Sequence, residues 1–408
     1  MIMTSNSIPV NPKILEWARN NANMSVQLAA QKAHVNELKG KGESIEITAT
    51  ERLLSWEKGE STPSFTQLKN LAKAYRRPVL TFFLQNPPEC ETKLHDFRTV
   101  RGQGIDINNP EFAALTRHVE MIHRSLQDIL DKSNTQQLEF VGGTRPDIDY
   151  RQFAEIIRKF LNYSIEQQLK ARDPSSLFAD IRKAIEEKGV FVLRIGNLGS
   201  HHSNISPLVF RGLALSDKIA PMIVVNANDS QTARLFTLIH ELCHIFIGES
   251  GISNWNSIDS QLQENQLSNE ILCDRTAAEF LVPEIEFKEA LSQIPPSLKT
   301  EDSIELLSHR FNVSRLVILR RLKDLGLIQI TKYWQIFETL KDIKSSSAKE
   351  SEEELDTHNL ISYRIRTRSK LGQKLVSTIL DAVRDGRISE LDASHIMSVK
   401  IDKFIKIA

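Results

Sequence analysis

Apolar residues recur at helical spacing through most of the chain. Pro12 to Ala22 carries Ile14, Leu15, Trp17 and Ala18, and Ser25 to Ala33 carries Val26, Leu28, Ala29 and Ala30, so two short helices are predicted. The polar stretch NELKGKGESIE that follows Val35 reads as a loop, 36–47. Helical spacing resumes from Thr48 to Lys58 with Leu53, Leu54 and Trp56, and Gly59 stands where a left-handed residue ends a helix. Ser61-Thr62-Pro63 reads as the cap and first turn of another helix, running through Leu68, Leu71 and Ala72 to Tyr75. Phe97 to Asn134 and Asp147 to Lys188 are largely helical in pattern, with polar breaks near 101–109 and 141–148. After Gly189 the period changes to that of strands: VFVLRIG (190–196), LVFRGLALS (208–216) and PMIVVNA (221–227), the last two forming a hairpin through Asp217-Lys218. A strongly apolar helix, Ser230 to Gly248, comes next, then a loop rich in Ser, Asn and Gln, then a helix from about Ser268 to Leu281 stopped by Pro283. Two short helices lie within 302–325, and the tail 357–408 reads as two helices around Asp385-Gly386.

Breaks in this pattern divide the chain. Asn86-Pro87-Pro88 closes a helical domain at 9–85, a helical connector fills 86–146, a mixed domain spans 147–344, and the Ser- and Glu-rich stretch 345–356 links it to the helical tail. At 408 residues with 40% hydrophobic and 25% charged positions, the composition is that of an ordinary globular protein and excludes wholesale disorder. Charge changes the picture only locally. The whole is neutral, with 52 Lys+Arg against 52 Asp+Glu, which argues against wholesale wrapping by nucleic acid. Residues 1–88, however, hold 11 basic against 7 acidic residues, and the tail holds 10 against 5. No apolar run approaches the ~20 residues of a membrane span, and the start MIMTSNSIPVNPK lacks the pattern of a secretory signal. Cys90, Cys243 and Cys273 are too few for a disulfide framework, so the expected compartment is a reducing cytoplasm.

Chemistry concentrates at His240-Glu241-Leu242-Cys243-His244. On a helix, positions i and i+4 share a face, so two imidazoles reach one metal, and the intervening Glu241 stands where it can take a proton from water. Zinc suits this donor set, and catalysis by zinc wants a third protein ligand with an open position. Glu270, 26 residues after His244, opens the second helix and supplies that ligand. Asp274, one turn later on the same face, is placed to accept the other ring N–H of His240 or His244. A wet amphipathic helix would carry Glu and Asp too, but Ile239, Leu242, Ile245 and Phe246 surround the imidazoles with apolar side chains, where buried histidines need partners or a metal. Cys243 and Cys273 read as small packing residues, since one step along a helix turns Cys243 about 100° from His244.

The N-terminal helices carry the second signal. A helix-turn-helix sets polar residues near the start of its recognition helix against base edges, which singles out Thr50, Arg52 and Ser55, with Lys58 on phosphate. A helical bundle used for dimerisation or docking has the same pattern, and the long loop 36–47 departs from the tight turn of the motif.

These residues together resemble a known family. Phe236-Thr237-Leu238 before the HExxH, Glu270-x-x-Cys273-Asp274 leading to Ala277-Ala278-Glu279-Phe280-Leu281-Val282-Pro283, RGLALSD (211–217), MIVVN (222–226) and FNVSRLVILRRLKDLGLI (311–328) resemble the ImmA/IrrE metallopeptidases, a gluzincin-like group. Residues 12–85, with SWEKGESTPSFTQLKNLAKAYRRP, are similar to the XRE/Cro-type helix-turn-helix often fused ahead of this peptidase. Thr276 stands where an aromatic is common and Cys273 where alanine is common. The resemblance implies a multidomain, mainly α protein: a helix-turn-helix bundle, an α+β zincin-like domain with a small three-stranded sheet, and a C-terminal helical segment. It implies a cytoplasmic zinc endopeptidase that cuts a DNA-binding repressor and relieves repression under stress. His240, His244 and Glu270 would hold Zn²⁺, Glu241 would activate water, and Asp274 would orient a ligand. Implied partners are DNA at the N-terminal domain, a repressor or other regulator as substrate, and a second copy of the chain in a homodimer, with no membrane.

Two readings follow. In the first the protein is an enzyme, with segment 207–216 or 221–227 as an edge strand aligning extended substrate, and His201, His202, His309 and Tyr333 as candidate oxyanion donors. In the second it is a DNA-binding regulator or antitoxin-like repressor with a structural or sensory metal site. A structural site has no use for a carboxylate at Glu241, so that residue favours the enzyme.

Overall fold

The computed structural model describes residues 10–39, 45–75, 77–87, 109–133, 135–198, 204–253, 264–295, 297–347 and 363–404. The chain divides into two units, one of Met1–Arg98 with Asp106–Glu120, the other of Thr99–Ile105 with Met121–Ala408.

Capped short helices build the first unit. In α1 (Pro12–Asn21) the Asn11 side chain accepts from the Lys13 N–H, while its own amide donates to the carbonyls of Leu84 and Gln85, tying the start of the bundle to its end. Ser25 caps α2 (Val26–Lys32). Two short antiparallel strands, β1 (Leu38–Lys39) and β2 (Ile45–Ile47), then stand where the sequence predicts only loop. Strands of two and three residues joined by a Gly/Lys-rich link leave no alternation to read. Thr48 and Glu51 form a reciprocal capping box on α3 (Ala49–Glu57). This helix ends as expected: Gly59 takes φ +75°, and the N–H groups of Gly59 and Glu60 close back onto Trp56 and Ser55. α4 (Phe65–Tyr75) begins later than predicted, because Ser64 is its cap, exchanging bonds with Gln67, and Pro63 lies outside the helix. Ile14, Leu15, Leu53, Trp56, Leu68, Leu71, Tyr75 and Phe82, the last from a 3₁₀ turn Val79–Phe83, make its core. Arg19 and Glu57 form a bidentate pair at its margin, at 2.8 and 3.0 Å. α5 (Pro110–Asp131) begins in this unit and ends in the next.

The second unit is a sheet clothed in helices. α6 (Tyr150–Leu161), α7 (Ile165–Leu169) and α8 (Pro174–Glu187) precede β3 (Phe191–Ile195), β4 (Gly212–Leu215) and β5 (Met222–Asn226). Next come α9 (Gln231–Ile247), β6 (Gly251–Ser253) and α10 (Glu264–Leu281). Then follow α11 (Glu284–Ser292), α12 (Thr300–Phe311), α13 (Arg315–Asp324) and α14 (Ile330–Ser347). The three predicted strands are present and the predicted hairpin is formed, with Gly212 opposite Val225 and Leu215 opposite Met222. β6 is a fourth strand that the sequence leaves in a loop; the strand order is β3-β5-β4-β6, with β3 parallel to β5 and the other pairs antiparallel. Neither predicted edge strand is an edge, since β5 lies between β3 and β4, and β4 between β5 and β6. Every residue of β4 and β5 is buried, as in strands covered on both faces. Val192, Ala214, Ile223 and Val225 share a core with α8, α9 and α10. The end of α9 is pinned by Phe246, whose ring meets Phe140, Phe160 and Phe153 at 5.1, 5.1 and 5.9 Å.

Among the described residues the tail holds four helices rather than two: α15 (Tyr363–Leu371), α16 (Gln373–Arg384), α17 (Glu390–Ile396) and α18 (Ile401–Phe404). It docks on α8 and β3. Glu186 accepts from the N–H groups of Gln373 and Lys374 at 3.1 and 3.4 Å, capping α16 from across the fold. Arg182 donates to the carbonyl of Ser369, and Arg194 to its hydroxyl at 3.0 Å. Residues 345–347 of the expected linker belong to α14, and its remainder lies outside the described residues, as do Cys90, His201 and His202. Among the described residues no helix is long and apolar enough to cross a membrane.

Candidate metal centre

Ser230 caps α9 by accepting from the Ala233 N–H, and Gly248, at φ +87°, ends it. Between them every residue from Leu235 to Phe246 is buried. A helix apolar all round is one enclosed all round, so the two imidazoles it carries lie inside the protein: His240 is 2% and His244 3% exposed. Their Nε2 atoms stand 3.1 Å apart. α10 crosses beside them and delivers Glu270, whose two oxygens lie 3.3 Å from His240 Nε2 and 3.4 Å from His244 Nε2. A tetrahedral ion held at about 2.0–2.1 Å keeps its ligand atoms roughly 3.3 Å from one another. Three electron-pair donors turned on one point at that spacing fit a cation, and the donor set, two imidazoles and a carboxylate, fits zinc.

The electrostatics agree. Burial disfavours charge on both rings, yet the carboxylates of Asp274 and Glu270 outweigh it at His240 and raise its pKa well above the ordinary imidazole value. At His244 burial is likewise overcome, by the Cys273 sulfur, Glu270 and Glu249. Burial works to raise Glu270, but the two imidazoles pull it well below the usual carboxylate range.

Beyond the three donors, each ring has a carboxylate behind it. Asp274, one turn along α10 as expected, puts Oδ1 3.0 Å from His240 Nδ1. For His244 the partner is Glu249, 3.7 Å from Nδ1, which the sequence reading missed. The Gly248 turn brings it there: the Glu249 N–H donates to the His244 carbonyl at 2.9 Å, folding the chain back over the ring. Asn269 donates to Glu249 at 2.7 Å and Arg320 of α13 approaches Asp274 Oδ2 at 3.1 Å; both were also missed. A carboxylate just after a helix-ending glycine was a findable signal for Glu249. Arg320 had none.

Glu241 is fully buried, and its carboxylate lies against β4 at Gly212, where a Cβ would stand 2.8 Å from Glu241 Cδ and overlap one carboxylate oxygen. Gly212 is thus the residue that makes room for Glu241, a role with no local sequence sign. Cys243 and Cys273 are buried free thiols, and burial, with Cys243 as neighbour, pushes the Cys273 thiol up. Of the candidate oxyanion donors within the described residues, His309 is exposed beside Glu305 on α12, and Tyr333 stacks on Phe337 in α14. In the first unit, Arg52 donates to the Asn36 carbonyl at 2.8 Å and lies over the Trp56 ring. Ser55 donates to the Arg52 carbonyl and bonds Ser61, Thr50 is half-buried, and Lys58 is exposed.

No curated protein matches the chain. The segment that carries the candidate metal centre, residues 188–323, matches the peptidase M78 family, the IrrE N-terminal-like domain.

Proposed function

We propose that the protein is a cytoplasmic zinc endopeptidase joined to a DNA-binding domain, which cleaves a transcriptional repressor or partner regulator and so switches gene expression under stress. The observation that carries the reading is the triangle of His240, His244 and Glu270 with Glu241 one residue past the first imidazole on the same buried helix. The peptidase family matched by residues 188–323 supports it. His240, His244 and Glu270 would hold the ion. When bound, zinc supplies a Lewis acid that activates water and polarises a carbonyl. Glu241 takes the proton of the attacking water on its carboxylate and returns it to the departing amine. α9 buries His240, His244 and Glu241, and charges in a buried setting interact more strongly than in water. The test is cleavage of a proteome-derived peptide library by wild type, chelator-treated wild type and Glu241→Gln. The expected result is zinc-dependent cleavage by wild type, and zinc retained but cleavage lost in the variant. Cleavage by Glu241→Gln at the wild-type rate contradicts the mechanism.

DNA binding at Thr50, Arg52, Ser55 and Lys58 rests on the helical bundle and its locally basic charge. Arg52→Ala combined with Lys58→Ala is expected to lower DNA affinity and flatten its salt dependence, read by fluorescence anisotropy across a salt series. Unchanged binding would make the bundle a docking module instead.

A further inference from the structure

Two consecutive arginines on α13 grip the helix that carries Glu270. Arg321, buried at 1% exposure, donates to the Val282 carbonyl at 2.9 Å and pairs with Glu279, near the end of α10. Arg320 reaches further up the same helix, its Nη2 3.1 Å from Asp274 Oδ2, while Asp274 Oδ1 faces His240 Nδ1 at 3.0 Å. A guanidinium, a carboxylate and an imidazole thus stand in line, and the far nitrogen of that imidazole is the one turned on His244 and Glu270. Behind the other ring, Glu249 stands 3.7 Å from His244 Nδ1 and accepts from the Asn269 amide at 2.7 Å. The planar guanidinium of Arg320, 3.1 Å from Asp274 Oδ2, holds that carboxylate in one orientation. A carboxylate fixed 3.0 Å from Nδ1 is placed to take the N–H there and leaves the lone pair on Nε2 for a metal.

We propose that Arg320 is a positioning residue of the metal centre, acting through Asp274 to fix the tautomer and orientation of His240 and so to set zinc affinity. The inference rests on the metal-site reading above and adds α13 to the site. It is tested on the full chain by zinc titration against a chromophoric chelator. The proteins compared are wild type, His240→Ala, Arg320→Leu, Arg320→Lys, Asp274→Asn and the double variant Arg320→Leu/Asp274→Asn. Wild type is expected to bind zinc and His240→Ala to lose it. Arg320→Leu and Asp274→Asn should each weaken binding about 10- to 100-fold, the double variant no more than the worse single one, and Arg320→Lys should recover most of the loss. A merely structural arginine would not give this non-additivity at the metal. Thermal unfolding of the metal-free proteins shows whether each variant folds; if Arg320→Leu does not, Arg320→Lys and Asp274→Asn carry the comparison. Wild-type affinity in folded Arg320→Leu, or losses that add, overturn the relay alone. Absence of zinc binding by wild type overturns the metal site and the relay with it.

Discussion

Glu241 follows His240 by one residue on α9, and its carboxylate lies against β4 at Gly212. It fits there because position 212 has no side chain. Gly212→Ala is therefore expected to push Glu241 from its place and leave the three donors in theirs. The predicted cost is about 1–3 kcal/mol of stability for overpacking, read by urea unfolding, with zinc content retained and cleavage strongly reduced. Full cleavage by this variant would show that the Glu241 carboxylate is not where the reaction needs it. The same residue scale shows what spacing carries and what it does not. His240, His244, Glu270 and Asp274 could be picked out as candidates because each pair sits four apart on one helix. Gly212, Glu249 and Arg320 act across elements, from β4, the turn after α9 and α13, and no local pattern joins them to the motif.

At the scale of elements, long helices announce themselves and short pairings do not. α9 and α10 were placed to within a few residues by apolar period, cap and stop signals. β6 is a strand only through its bonds to β4, with Gly212 opposite Ser253, and three residues of GIS have no pattern of their own. The small helices of the tail owe their existence to caps and docking, Ser389 with Asp392 in α17 and Glu186 beneath α16. Glu186 also faces Arg182 at 3.2 Å, and both are buried. Its removal would leave a guanidinium enclosed without its partner and the first turn of α16 uncapped. Glu186→Ala is expected to destabilise the second unit by about 3–5 kcal/mol, measured by urea unfolding. A change within about 0.5 kcal/mol would mean that the tail holds to α8 and β3 by other contacts.

Over the whole molecule, a mainly helical chain with a small sheet was readable from the hydrophobic pattern. The strand order was not, because the strands that end a sheet are decided by partners far apart in sequence. Wild-type protein, purified without chelator and analysed by inductively coupled plasma mass spectrometry, is predicted to carry one zinc per chain. His240→Ala, His244→Ala and Glu270→Ala are each predicted to carry little or none while remaining folded. Wild type without metal, or zinc undiminished in all three variants, would contradict the claim that these side chains form the working centre.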